Sequence, residues 1–247
     1  MASPETQTAR AVMDALSERT TPGRAEASAW FFKTGPGEYG EGDRFIGVAV
    51  PEQRRVARSY RHLPLEELDV LLDSPVHEHR LTGVLIAVEQ FRAAQKHGER
   101  ATQEGIVDWY RSVIERGRVN NWDIVDSSAP HILGAWLVDH PSAELHALAQ
   151  SHDLWKRRIA MLSTLAFITR GNAKPTLELL PLYLDSREDL LQKASGWMLR
   201  EIGKRVDVGI LLDTLEAFAP RMPRVMLSYA TEHLSPDERA YFRSLRP

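Results

Sequence analysis

Apolar residues recur at three- and four-residue intervals along most of this 247-residue chain. The segments PLEELDVLLD, GIVDWYRSVIERG, LWKRRIAMLSTLAFITRG and LLQKASGWMLREIGKR each bring their large apolar side chains onto one face at helical pitch, which predicts amphipathic helices. No run alternates β-branched and polar positions over the length of a strand. The nearest, RFIGVAVP at residues 44–51, is short and ends at a proline able to open a helix. The pattern predicts an all-α chain of roughly a dozen helices.

Four segments share a layout of a short polar lead, a basic residue and a long amphipathic helix. They are SPVHEHRLTGVLIAVEQF, SHDLWKRRIAMLSTLAFI, SREDLLQKASGWMLREIG and APRMPRVMLSYATEHL. Aligned on Arg80, Arg158, Lys193 and Arg224, they are spaced 78, 35 and 31 residues apart. The first interval has room for one more unit, and the helix that follows Asn120 fills it. Shorter helices such as PTLELLPLYLD and DVGILLDTLEAF fall between the long ones. Paired helices recurring every ~30–45 residues mark an α-α superhelix, a solenoid of HEAT-like repeats. A compact irregular helical bundle is the alternative. The solenoid reading expects one domain over residues 1–247, with residues 1–8 as a tail. It also expects the aligned basic residues to collect along one concave wall of inner helices.

One helix start stands apart. In VNNWDIVDSSAP, Asn120 and Asn121 suit the cap, because an amide oxygen accepts from the orphan N–H groups of the first turn. Trp122 and Asp126 are four residues apart and share a face. Asp123 is expected to serve only the helix N-terminus.

Composition narrows the chemistry. There is no cysteine, which excludes disulfides, thiolate metal sites and cysteine nucleophiles. The net charge of −3 does not describe a generic polyanion binder. Residues 153–205, however, hold ten Lys/Arg against six Asp/Glu, a local +4 that leaves −7 for the rest. A basic groove is compatible with a mildly acidic total. The nine histidines form no HExxH pattern, and His77 and His79, two apart, do not converge on a helix, so no metal is expected. The glycine-rich residues 34–47 follow no strand and carry no GK[ST], so they read as a connecting or closing turn. Ser127, Ser128 and His131 lack a nucleophile-elbow context. The N-terminal MASPETQTAR has no apolar signal core and no apolar run nears membrane length, so a cytoplasmic protein without a membrane partner is expected.

Four residues on successive inner helices remain: Trp122, Asp126, Arg158 and Trp197. Each has an ordinary account by itself. The tryptophans suit a core, Asp126 a solvated or paired helix position, and Arg158 a salt bridge. Trp197 follows three small residues, Ala194, Ser195 and Gly196, which leave room for a close helix neighbour. Together, two indoles and a carboxylate suit a cation, whereas the surrounding Lys/Arg suit an anionic polymer. A cation embedded in a polyanion describes DNA alkylated at a purine ring nitrogen.

The stretches VNNWDIVDSSAP, LWKRRIAML and LLQKASGWMLREIGK resemble the AlkD-type DNA alkylation repair glycosylases, which are HEAT-like α-solenoids. The likeness is strongest over residues 118–204 and extends to FIGVAVPEQRR. It implies Asp126 as the catalytic carboxylate, Trp122 and Trp197 as aromatic walls, and Arg158 as a phosphate contact beside the carboxylate. Arg200 and Lys204 would be further phosphate contacts, with Lys193 and Arg157 completing the DNA-binding set. One departure is Ala49, where some relatives carry a polar residue facing the duplex; it bears on contacts near the N-terminal helices.

The resemblance implies a monofunctional glycosylase that hydrolyses the N-glycosidic bond of cationic purines of the 3-methyladenine and 7-methylguanine type in double-stranded DNA. No cofactor, metal or base flipping is implied. The protein is expected to act as a monomer, through an open groove with no deep base pocket. A non-catalytic solenoid that recognises damaged or branched DNA is the alternative, and a protein-interaction scaffold is a third class.

Overall fold

The computed structural model describes residues 7–245, whose regular elements are all helical; an isolated bridge joins Arg44 and Val76, and no β-strand forms among the described residues. Two compact units meet in sequence at Ile132 and Leu133.

The first unit contains α1 (Ala9–Ser17), α2 (Arg24–Phe31), α3 (Val50–Ser59), α4 (Leu65–Leu72), α5 (His77–His97), α6 (Arg100–Glu115) and α7 (Trp122–Ser128). Helix α1 opens at Thr8, whose hydroxyl accepts from the Ala11 amide, and it buries Ala9, Val12 and Leu16 at three- and four-residue spacing. Thr8, expected in a tail, is therefore the first cap of the fold; most of that expected tail, residues 1–6, lies outside the described residues. Pro51 sits in the first turn of α3, where a missing N–H costs nothing.

Helix α5 is the centre of this unit. Every residue from His77 to Val88 is buried, and α3, α4, α6 and α7 all pack against it. Helices buried on all sides draw their stability from packing, and each fully buried Leu or Ile contributes about 1.5–3 kcal/mol. Four ionisable residues, His77, Glu78, His79 and Arg80, enter that buried stretch and require partners.

The second unit contains α8 (Ala135–Asp139), α9 (Glu144–Ala149), α10 (Leu154–Ser163), α11 (Leu165–Ile168), α12 (Lys174–Leu179), α13 (Asp189–Arg205), α14 (Val208–Phe218), α15 (Arg224–Ala230) and α16 (Pro236–Ser244). Its centre is α13, which packs on α10, α11, α14 and α15. Ala194, Ser195 and Gly196 are all buried on α13. A Cβ at Gly196 would lie 2.4 Å from the Met226 carbonyl oxygen and 2.6 Å from the Tyr229 Cβ, so the glycine lets α15 approach to backbone contact. The small-residue run preceding Trp197 has the packing use its composition suggests.

In the second unit the helices bearing the aligned basic residues are neighbours, and in the first the Arg80 helix neighbours the one that follows Asn120. Helix α5 packs on α7, and α13 packs on both α10 and α15. Other helices alternate with them, and not all are the shorter ones expected: α6 has 16 residues against 7 in α7, and α14 has 11 against 7 in α15. This is an all-α fold of helical repeats of the solenoid class. Among the described residues no helix is long and apolar enough to cross a membrane.

Candidate functional site

The start of α7 is built as its sequence suggests, with one addition. Asn121 is fully buried, and its side-chain oxygen accepts from the Trp122 amide at 2.8 Å. Its amide nitrogen donates to Asp43 Oδ2 at 3.0 Å, tying the cap to the glycine-rich loop. Trp122 and Asp126 are both half-buried and line the same pocket, which has a volume of about 910 Å³. Phe31, Phe32 and Val48 share that pocket wall.

The wall is aromatic because α2 ends on two phenylalanines. Phe32 stacks on Trp122 with ring centroids 5.2 Å apart and planes 11° from parallel, while Phe31 meets the same indole edge-on at 6.0 Å. Phe32 also contacts Phe45 at 5.1 Å and the His77 ring at 4.8 Å. Phe45 stacks on His77 at 4.7 Å. Such pairs add about 0.5–1.5 kcal/mol each beyond their burial.

Beneath the aromatic layer lies a buried polar cluster. The two ring nitrogens of His77 lie 3.0 Å from Asp43 Oδ2 and 2.9 Å from Asp123 Oδ2. Arg80 donates to the other Asp43 oxygen at 2.6 Å. Burial alone lowers the His77 pKa, but hydrogen bonds to Asp123 and Asp43 and their charges outweigh it and hold the ring up to about 9. Burial likewise raises the Asp43 carboxyl, yet the bond from His77 and the charge and bond of Arg80 keep it below its ordinary value. Glu78, next in sequence, turns the other way and accepts from the amides of Ile46, Gly47 and Val48 at 2.8–3.3 Å. Gly47 has φ +82° and its Cβ position lies 3.0 Å from the Thr21 oxygen, so the loop depends on glycine at that point.

Two expectations change here. Asp123 does more than serve the helix N-terminus, because its second oxygen binds His77 across 46 residues of sequence. Arg80, aligned with the basic residues of a solvent-facing wall, is 6% exposed and turned inward by Asp43, whose buried carboxylate needs a cation.

The remaining sequence-selected residues belong to the second unit. Arg158 on α10 is 4% exposed, and its guanidinium donates to the Leu190 carbonyl of α13. Arg157 lies over the Tyr183 ring at 5.1 Å and donates to the Leu182 carbonyl at 2.9 Å. Trp197 is half-buried and donates its indole N–H to Glu201 at 3.2 Å, one turn along α13. Burial raises the Glu201 carboxyl, but bonds from Arg205 and Trp197 lower it below its ordinary value. Lys193 pairs with Asp189 at 2.6 Å, Arg200 with Glu232 and Glu201, and Lys204 is exposed. Arg200 and Lys204 line a smaller pocket of about 310 Å³ together with His233.

Sequence reasoning missed Asp43, Phe31, Phe32, Phe45 and the role of His77. The available signal was weak: a loop combining five glycines with an aspartate and aromatics, and a histidine at the head of a buried helix. Among the described residues no group of three or more histidine or carboxylate side chains is arranged to hold a metal ion.

Residues 12–234 match the family described as DNA alkylation repair enzyme. A solved structure of a predicted DNA alkylation repair enzyme from Enterococcus faecalis is similar to this chain, with a TM-score of 0.67 and 18% identity, over 88% of this chain and 98% of that one. At that identity the likeness establishes a shared fold. Among curated proteins none matches the chain.

Proposed function

The chain belongs to the DNA alkylation repair enzyme family, and on that premise we propose that it is a monofunctional DNA glycosylase acting on cationic alkylpurines in duplex DNA. Membership carries a role in DNA repair. The reaction is our reading, and one observation carries it: Asp126 stands beside Trp122 on the wall of an aromatic, largely apolar pocket.

The chemistry follows from charge. A purine alkylated on a ring nitrogen is a cationic leaving group. When the C1′–N bond breaks, the electron pair passes to the base, which departs neutral and needs no general acid. Positive charge then develops on the sugar as an oxocarbenium-like species. Asp126 stabilises that charge, and the exposed face of the Trp122 indole adds a cation–π contribution. Water adds at C1′ and its proton leaves to Asp126 or to solvent. A preorganised charge of this kind is worth about 3–4 kcal/mol in the transition state, or 10²–10³ in rate. Because the charge to be stabilised lies on the sugar, the base can stay stacked, in contrast to enzymes that extrude it. No lysine acts as nucleophile, so the product is an abasic site in an uncut strand.

In this reading the second unit offers the duplex an aromatic face at Trp197 and a phosphate contact at Arg158. Arg157, Lys193, Arg200 and Lys204 supply further phosphate contacts. The protein works as a cytoplasmic monomer on double-stranded DNA. The test is release of alkylated base from methylated duplex. Base release without strand cleavage supports the proposal, and salt-sensitive binding with no base release overturns it in favour of a non-catalytic DNA-binding repeat protein.

A further inference from the structure

His77 is 1% exposed, yet carboxylates face both of its ring nitrogens at 2.9 and 3.0 Å. A neutral imidazole has a single N–H and can satisfy only one of them. An imidazolium, with an N–H on each nitrogen, donates to both carboxylates. Arg80 supplies the second positive charge on Asp43, so two anions and two cations balance inside the unit. Glu78, adjacent on α5, is engaged with the amides of residues 46–48. The titratable and charged groups around the ring are thus Asp43 from the loop, Asp123 from α7, and Glu78 and Arg80 from its own helix.

This cation reaches the first turn of α7 by two routes. One is the direct bond to Asp123, the residue after Trp122 and three before Asp126. The other runs through aromatic faces, since Phe32 touches the imidazole at 4.8 Å and stacks on the Trp122 indole at 5.2 Å. With both nitrogens occupied and the ring shut from solvent, His77 cannot exchange a proton with a substrate. We propose that His77 is a positioning residue: its imidazolium clamps Asp123 and, through Phe32, Trp122, fixing the first turn of α7 and thereby the placement of Asp126. The catalytic part of this statement rests on the glycosylase reading; the clamp itself does not.

The test uses the full-length protein and two readouts. The first is the indole N–H resonance of Trp122, identified by its loss in Trp122→Phe. In the wild type it moves with the titration of the His77 ring, near pH 9; in His77→Gln it starts from a displaced position and does not titrate there. The second is single-turnover base release at saturating methylated duplex. His77→Gln lowers this rate by about 10- to 100-fold, as expected for a displaced catalytic group, while DNA affinity is kept. An indole resonance unchanged by His77→Gln, or a variant with the wild-type rate, overturns the proposal. Should the variant fail to fold, the wild-type titration decides: an indole resonance that tracks His77 supports the clamp, and one flat through that transition overturns it. A wild type that releases no base while the resonance still tracks His77 defeats the glycosylase reading and supports the clamp.

Discussion

Phe32 lies flat on Trp122, ring centroids 5.2 Å apart and planes 11° from parallel. One face of the indole is therefore spent on α2, and Phe31 closes its edge at 6.0 Å. The indole presents a single, oriented face to the pocket. Removing the support frees it: Phe32→Ala is expected to cost about 1–3 kcal/mol of stability, less than for a fully buried ring, because Phe32 is half-exposed. Chemical denaturation measures that cost. Single-turnover base release should fall by roughly tenfold through loss of a fixed wall, whereas Phe32→Leu should retain more of both.

Stability depends on pH through His77. Its folded pKa is raised to about 9 from an ordinary 6.5, so its contribution is fully present below the unfolded value. That contribution fades as pH rises from about 6.5 and is lost through about 9. The size is about 3 kcal/mol at one pKa unit per 1.36 kcal/mol. Asp43, held below its ordinary 3.8, works in the opposite sense: its contribution is present above that value and is lost as pH falls below it. Unfolding free energy followed from pH 6 to 10 should decline in the wild type and stay nearly flat in His77→Gln over the same interval.

Two glycines in helix interiors make opposite predictions. Gly196→Ala drives a Cβ into the Met226 carbonyl and Tyr229, and is expected to destabilise the protein by about 1–3 kcal/mol or more. Gly105 on α6 has open space where its Cβ would stand, so Gly105→Ala is expected to stabilise by about 0.5–1 kcal/mol. Thermal midpoints moving in opposite directions check the pair.

Much of the first unit's α7 was legible in sequence. Asn121 reads as a cap because its side chain suits an orphan amide, and Trp122 and Asp126 read as one face from their spacing alone. The Ala194–Ser195–Gly196 run announces a close helix neighbour, which α15 provides. The cluster beneath the site is different in kind. His77 meets Asp43 across 34 residues and Asp123 across 46, and Arg80 meets Asp43 across 37. No local periodicity records such pairings. They exist because tertiary packing buries the head of α5, after which each charged side chain needs a specific partner. Arg80 and Arg158 misled for the same reason: both repeat positions are buried, and Asp43 and the Leu190 carbonyl respectively determine where the guanidinium points.

Exposed cations in the second unit bear on the partner. Lys204 is exposed on α13, so its truncation leaves the fold intact. Lys204→Ala should weaken duplex binding about equally for damaged and undamaged DNA, and reduce the salt slope of log K by about one. Arg158, in contrast, is buried and bonded to Leu190, so Arg158→Ala should cost stability as well as affinity. Salt titrations of duplex binding, paired with denaturation curves, separate the two effects.

The central claim is that the Asp126 carboxylate stabilises charge on the sugar. It is tested most directly by the single-turnover rate of base release from duplex DNA carrying 7-methylguanine, comparing the wild type with Asp126→Asn. The substitution keeps size and shape while removing the charge and turning one acceptor oxygen into a donor. The account predicts a fall of about 10²-fold or more with duplex affinity and fold retained. Release at the wild-type rate by Asp126→Asn would contradict it.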